Sequence, residues 1–488
     1  FVRGNNAFMS KPNILFLMPD QLRHDFLSCY GASFIDTPHI DSLAAEGLRY
    51  DCAYSTSPVC VAARHNLLTG LNSIRTGVLG NGQFLRPDYA DCGIQTWPEQ
   101  IARVGYRSAA IGKMHFYPWD ASMGFDDRVI CEDKRWLHIQ DDYADYLAER
   151  GLQKLHGNQH DGYLENRGAI VHQHAFEDSW DYFVGDSAAE YIRTYSDERP
   201  FAMMVGFPGP HCPYDPSPEY ADLYRPEDMP DSIPEVEGEY PLLRQKNIAG
   251  NKRPWNGVDY SDFTERHKKK IRAHYAALVK QIDDITGRIL QALCDSGQLN
   301  NTVILFSSDH GDYLGDHNLI GKGQFFEASC HVPLIARLPG GPQGQSSSEL
   351  VALADVTPTM LALAGADIPD YMDFMPLPGL GLPRPSRDYL YGMMGGGWMC
   401  FDGRWKLCKY NTGEHMLFDL LKDPTEQQNL LKDGVFGDTY LRLDRALTEE
   451  VMRSTMASHH EKLVYDVDLS GDVDFGRSGW QRTYPKPL

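Results

Sequence analysis

Four short apolar runs recur along the chain, each ending in polar residues. Asn13-Ile14-Leu15-Phe16-Leu17-Met18 leads into Pro19-Asp20-Gln21, and Ser108-Ala109-Ala110-Ile111 leads into Gly112-Lys113-Met114-His115. Phe201 to Phe207 leads into Pro208-Gly209-Pro210-His211, and Val303-Ile304-Leu305-Phe306 leaves through two serines into Asp309-His310-Gly311-Asp312. Short, non-alternating runs of this kind predict strands buried on both faces of a parallel or mixed sheet. In open α/β sheets ligands bind beyond the carboxyl ends of the strands. The pattern therefore brings Asp20, Gln21, Lys113, His115, His211, Asp309 and His310 to one edge, with Lys322 shortly after in Gly321-Lys322-Gly323. Taken singly, each has an ordinary reading as turn chemistry or as a core or surface histidine. Their recurrence at four strand ends is what points to a site.

Helical spacing appears between these runs. Asp41 to Leu48 reads as a helix, and His267 to Leu293 carries Ile271, Tyr275, Leu278, Ile282, Ile285 and Ile289 as a core-facing stripe. Ser57 to Gly70 predicts a short helix with Cys60 at its N-terminal end and Gly70 as a left-handed cap. The free N–H groups and dipole at that end favour a thiolate or an oxyanion. Arg64, four positions on, shares the face of Cys60 at about 6 Å. Residues 132–185 form a polar and aromatic insertion read as loops at the site mouth. Its histidines, His156, His160, His172 and His174, match no zinc-finger spacing. Residues 212–265 read as a further irregular excursion.

Beyond about residue 366 the texture changes. Pro369 to Arg387 reads as a linker, followed by short strands at Tyr389–Tyr391, Trp398–Phe401, Trp405–Leu407 and Met416–Phe418, with turns at Asp402-Gly403 and Thr412-Gly413. Leu441 to Met456 would cover this antiparallel sheet, and the tail from His459 is too polar to assign. The expected organisation is a large α/β unit over residues 9–370 with a central mixed, mostly parallel sheet flanked by helices, then a smaller C-terminal α+β unit over residues 371–488. Met9-Ser10-Lys11-Pro12 reads as a natural start, and Phe1 to Ala7 has neither the apolar core nor the cleavage pattern of a signal peptide, so residues 1–8 read as an appended tag remnant.

The 488 residues are 42% hydrophobic and 23% charged, enough for one large core and a smaller unit. Even Leu350 to Ala364 is interrupted by Asp355 and Pro358, short of the ~18 apolar residues of a membrane span. The formal charge of −21 argues against nucleic acid or an anionic membrane as partner, so an anionic substrate needs a local basic pocket. Ten scattered cysteines without a Cys-x-x-Cys pair fit a reducing, cytoplasmic compartment; a replaced leader would make the protein periplasmic or secreted instead. Asp20, Gln21, Asp309 and His310 together suit Ca²⁺, Mg²⁺ or Mn²⁺.

Several elements carry a family resemblance. They are Pro12-Asn13-Ile14-Leu15-Phe16-Leu17, Cys60-Val61-Ala62-Ala63-Arg64 followed by Leu67-Leu68-Thr69-Gly70, Gly112-Lys113-Met114-His115, Pro210-His211, Ser308-Asp309-His310-Gly311 with Leu314-Gly315-Asp316-His317, Val332-Pro333-Leu334, and Phe418-Asp419-Leu420 with Asp423-Pro424-Thr425-Glu426 and Asn429-Leu430. In this order, from about residue 12 to 432, the chain resembles the formylglycine-dependent sulfatases of the alkaline phosphatase superfamily. The resemblance implies a sulfuric ester hydrolase acting on a sulfated carbohydrate, with aryl sulfates as surrogates. It implies that a maturation enzyme converts Cys60 to formylglycine, whose hydrate attacks sulfur with help from Asp309. His211 or Lys322 would protonate the leaving alcohol, and His115 would deprotonate the second hydroxyl. Arg64 would hold the formylglycine, and Lys113 and Lys322 the sulfate. Asp20, Gln21, the modified Cys60, Asp309 and His310 would hold the metal, usually calcium.

Two departures qualify the match. Gln21 and His310 resemble the pattern of the phosphonate monoester hydrolases and some sulfatases, whereas the Lys113/His115 pair favours the sulfatases. Ala62, where proline is commoner, suits a radical-type maturase. Phosphonate monoester or phosphodiester hydrolysis is the alternative, and a noncatalytic anion-binding relative with an unmodified Cys60 is a third reading.

Overall fold

The computed structural model describes residues 11–90, 92–235, 241–432 and 437–460. The expected tag remnant at 1–8 and the tail at 461–488 lie outside the described residues. Fourteen strands are present among them: β1 Asn13–Asp20, β2 Leu48–Tyr50, β3 Ala53–Tyr54, β4 Arg107–Gly112, β5 Asp127–Ile130, β6 Phe201–Pro210, β7 Thr302–Ser307, β8 Leu334–Arg337, β9 Gln345–Ser347, β10 Val351–Ala352, β11 Leu390–Met394, β12 Gly397–Phe401, β13 Trp405–Tyr410 and β14 His415–Asp419. Eight form one sheet in the order β5-β4-β6-β1-β7-β8-β2-β9. The four apolar runs are its contiguous centre, β4-β6-β1-β7, all mutually parallel. β8 pairs antiparallel with both β7 and β2, which makes the sheet mixed.

Each central strand is apolar on both sides because each side meets a different core. Leu15 and Leu17 of β1 face one cluster, while Ile14, Phe16 and Met18 face the other. The first core is closed by helices Trp180–Thr194 and Glu265–Asp295, whose Ile271, Ile282, Ile285 and Ile289 are fully buried. The second is closed by helices Cys60–Thr69, Trp97–Ala102 and Val356–Ala364. Each such Leu, Ile or Phe contributes about 1.5–3 kcal/mol on burial.

Strands β11 to β14 form the expected antiparallel sheet, covered by helix Asp438–His460. Its other face packs Met399, Phe401 and Phe418 against Tyr54, Phe325 and Phe326. Met393 N donates to the Thr56 carbonyl at 2.8 Å and Ser57 Oγ donates to the Met393 carbonyl, so β11 holds the chain just ahead of Cys60. Lys406 Nζ is buried between Glu327, at 2.7 Å, and Glu426, at 2.6 Å.

Three expectations change. The helix expected at Asp41–Leu48 is Pro38–Ala45, because proline is accepted at the first helical position and Leu48 is taken by β2. The 132–185 insertion contains helix Asp142–Glu149, capped by the Asp141 side chain, and the start of Trp180–Thr194, capped by Ser179. The 212–265 excursion contains helix Pro241–Asn251. No helix among the described residues is long and apolar enough to cross a membrane.

Candidate active site

The carboxyl edge of β4-β6-β1-β7 gathers the polar strand ends into one buried cluster. At the end of β1 the register with β6 shifts between Pro19 and Asp20, and Gln21 adopts a left-handed φ of 72°. That conformation is unusual for a residue with a Cβ. It is held by Gln21 N donating to Asp309 Oδ1 at 2.9 Å and by Tyr275 OH donating to the Gln21 carbonyl at 2.6 Å. Beyond β4, Gly112 has φ 92°, and a Cβ there would stand 2.1 Å from the Gly206 carbonyl oxygen, so glycine allows the tight exit that delivers Lys113. His115, φ 58°, is fixed by its N–H donating to both Glu132 oxygens at 3.2 Å.

Cys60 is the first residue of its helix, and Gly70 forms the left-handed cap the sequence predicts. Asn81 Oδ1 accepts from Val61 N at 3.1 Å, satisfying one orphan donor of the first turn. Cys60 Sγ lies 3.2 Å from His310 Nε2 and 3.8 Å from Asp20 Oδ1. Burial and Asp20 push the thiol up, but Lys322, His310 and Lys113 outweigh them and hold it well below the usual thiol range. Arg64 donates from Nε to Asp309 Oδ2 and from Nη2 to Asp20 Oδ2, each at 3.0 Å, and from Nη1 to the Lys113 carbonyl.

Lys113 Nζ sits 2.9 Å from Asp20 and 3.0 Å from Asp133. Burial works against the Asp20 carboxylate, but Lys113, His211 and Arg64 hold its pKa well below the usual range. Asp309 shifts upward, because burial and the Asp20 charge outweigh His310 and Arg64. Lys322 Nζ donates to Gln21 Oε1 at 2.6 Å and faces His211 Nε2 at 2.7 Å. Burial and the Lys322 charge depress His211 to about 3, so its imidazole is the neutral acceptor of that pair. His115 Nε2 lies 3.5 Å from Asp133 Oδ2, and both ring nitrogens are buried without a hydrogen-bond partner. Burial and Lys113 lower the His115 pKa, but Asp133 and Cys60 raise it more.

All the predicted residues thus meet at one place. Asp20, Cys60, Asp309 and His310 each offer a ligand atom within 4.8 Å of the others. Two buried carboxylates side by side, with the pKa of one raised by the other, are the electrostatic stress a divalent cation relieves, and oxygen plus imidazole donors suit a hard ion. Gln21 stands beside this group, its amide oxygen on Lys322 and its nitrogen donating to Asp312. Above the cluster opens a cavity of about 370 Å³, lined by Gln21, His115, His211 and Lys322 at its base.

The sequence reading missed Asp133, Glu132, Asp312 and Asn81, which hold Lys113, His115, Gln21 and the Cys60 helix. Asp312 was visible in Asp309-His310-Gly311-Asp312, but no periodicity marks Glu132 and Asp133 within a polar insertion.

A cysteine at a helix N-terminus, facing clustered carboxylates and a ring of cations, is an arrangement suited to metal-assisted hydrolysis of anionic esters. The sulfatase family model matches residues 12–366. An arylsulfatase of Clostridium perfringens is 31% identical over 466 residues, covering 90% of this chain and 94% of its own length. A choline-sulfatase of Rhizobium meliloti is 30% identical over 449 residues, covering 87% and 83%. Among solved structures, the phosphonate monoester hydrolase of Agrobacterium radiobacter superposes with a TM-score of 0.76 at 24% identity, over 92% of this chain and 96% of that one. The chain belongs to the sulfatase family.

Proposed function

We propose that this protein is a sulfuric ester hydrolase whose nucleophile is made from Cys60. The observation that carries the reading is the placement of Cys60 at a helix N-terminus, within ligand distance of Asp20, Asp309 and His310. Formylglycine at this position supplies, as its hydrate, one hydroxyl for attack and a second to expel the sulfate. Asp20, Asp309 and His310, with Gln21 beside them, would hold a divalent cation, calcium or alternatively manganese or magnesium, which supplies Lewis-acid stabilisation of a sulfate oxygen.

The chain's own groups account for the rest. Lys113 and Lys322 present ammonium groups to the sulfate oxygens, and Arg64 fixes both metal-side carboxylates. Neutral His211 accepts from Lys322, so the proton available to a leaving oxygen resides on the lysine end of the pair. Asp309 would assist attack. His115, whose ring nitrogens have no hydrogen-bond partner and which lies beside Asp133, would take a proton in the second step. The aromatic rings of Trp136 and Trp255 along the cavity support a sugar as the leaving group. Cysteines without a disulfide among the described residues support a reducing, cytoplasmic setting, and Ala62 in place of proline supports a radical-type maturase.

The test is the mass of the tryptic peptide spanning Cys60, from protein made beside a maturase, together with turnover of an aryl sulfate and an aryl phosphonate monoester. A loss of about 18 Da relative to cysteine, with aryl sulfate hydrolysis abolished in Cys60→Ala, is expected. Gln21 and His310 favour the phosphonate alternative. Preferential phosphonate hydrolysis would establish that alternative, and an unmodified thiol from every host would overturn the nucleophile.

A further inference from the structure

The cavity over the cluster has an outer wall that the hydrolytic chemistry does not use. Its members are Arg135 and Trp136 from the insertion after β5, Lys246 on helix Pro241–Asn251, and Trp255 just beyond that helix. Asn247 clips this helix to the loop carrying Lys322: its Nδ2 donates to the Ile320 carbonyl at 2.7 Å, and its Oδ1 accepts from Ile320 N at 3.2 Å. Lys246 is thereby carried on a helix tied to the Lys322 loop, and both lysines line the same cavity.

Charge on this wall runs against the rest of the molecule. The chain carries a formal −21, yet none of the described residues lining the cavity is an aspartate or a glutamate. Arg135 commits Nε and Nη2 to Asp133, both at 2.6 Å, which leaves Nη1 for another partner. Its guanidinium lies 4.7 Å from the Trp255 ring centroid, so ring and cation form one platform. Lys246 is exposed and pairs with no carboxylate among the described residues. Trp255, 40% exposed, offers a flat apolar face at the mouth.

We propose that this outer wall is a subsite for a second anionic group, a carboxylate or a further sulfate, on the sugar that carries the scissile ester. The proposal rests on the sulfate-ester reading above and narrows it. Trp255 stacks on the ring, Arg135 Nη1 and Lys246 Nζ take the second anion, and a quaternary ammonium such as choline meets repulsion from both cations. Raised ionic strength weakens the preference, because Lys246 is solvent-exposed.

The experiment compares kcat/KM for an N-acetylated hexosamine 6-sulfate, the same sugar N-sulfated, a 2-sulfated uronic acid and choline sulfate, in the wild type and in Lys246→Gln. The expected preference for the doubly anionic sugars is roughly fivefold, the scale of one or two exposed ion pairs, and it falls toward one in Lys246→Gln and at high salt. The N-sulfated and carboxylate arms separate the two sources of the second anion; preference for either supports the subsite. Turnover of the singly sulfated sugar with no preference, or a preference unmoved by Lys246→Gln, overturns the subsite and leaves the sulfatase reading standing. Calorimetry of the same sugars on protein whose Cys60 is still a thiol reads the subsite if no sulfate ester is turned over. Tighter binding of the doubly anionic sugars that Lys246→Gln removes supports it; equal binding, or none, overturns it.

Discussion

Replacing Arg64 with glutamine removes the cation from between two buried carboxylates while keeping much of the side-chain volume. Arg64 is 1% exposed and its partners Asp20 and Asp309 are 0% exposed. Asp20 keeps Lys113 at 2.9 Å, so Asp309 is the carboxylate that loses its cation. Removing one partner of a buried pair costs about 3–5 kcal/mol. Asp309 still accepts from Gln21 N at 2.9 Å and His310 N at 3.0 Å, which places the loss near the lower figure. At an unfolding entropy of about 2.1 cal/mol/K per residue, a chain this long changes by roughly 1 kcal/mol per kelvin, so Tm should fall by about 3 °C. The assay is thermal unfolding in a chelator and again with millimolar calcium. Calcium should restore part of the loss, because a cation at Asp20 and Asp309 does what the guanidinium did. A fall below about 1 °C in the chelator would refute the account of Arg64 as the clamp between these carboxylates.

Stability should also fall below about pH 6.5, where buried histidines are forced to take up protons on unfolding. Burial is the first cause holding His24, His65 and His317 at about 4. Their unfolded value is about 6.5, so the unfolded chain binds more protons between the two values. The contribution is fully present above about pH 6.5 and is lost as the pH falls toward about 4, by up to about tenfold in the folding equilibrium per pH unit for each histidine. Urea midpoints at pH 7.5, 6 and 5 should decline steadily; a flat series would contradict the burial of these rings. At the site, His211→Ala removes the imidazole that orients the proton-donating Lys322 ammonium, and kcat on an alkyl sulfate should drop by up to about 10²–10⁴, the scale of general-acid catalysis. A nitrophenyl sulfate, whose leaving group departs without protonation, should lose far less, and equal losses on the two substrates would argue against a role in protonating the leaving group.

The centre of the fold was legible because β1, β4, β6 and β7 are apolar on both faces and end in chemistry. β5 and β9 were not, since β5 is only half-buried throughout and β9 is largely exposed, so neither carries the apolar signal that marks a strand. Helix Pro241–Asn251 escaped for a related reason: its Arg244, Gln245, Lys246 and Asn247 interrupt any apolar stripe. Among site residues, those at strand ends were found by position, and Cys60 and Arg64 by spacing. Asp133 was not, because its role exists only through contacts with Lys113 and His115, about twenty residues away in the chain. Arg64 was expected to face Cys60, whereas its hydrogen bonds go to Asp20, Asp309 and the Lys113 carbonyl.

The hydrogen bond from Lys322 to Gln21 closes a gap of 301 residues, and the one from Ser57 to Met393 closes 336. Contacts of such sequence separation form late and slowly, since the entropy of closing the intervening chain is lost before they stabilise anything. The site therefore comes into existence with the last long-range contacts to form. Activity should report the fraction of molecules folded from end to end, with no fragment retaining a share of it. A ligand or ion that binds the assembled cluster should correspondingly stabilise the molecule as a whole.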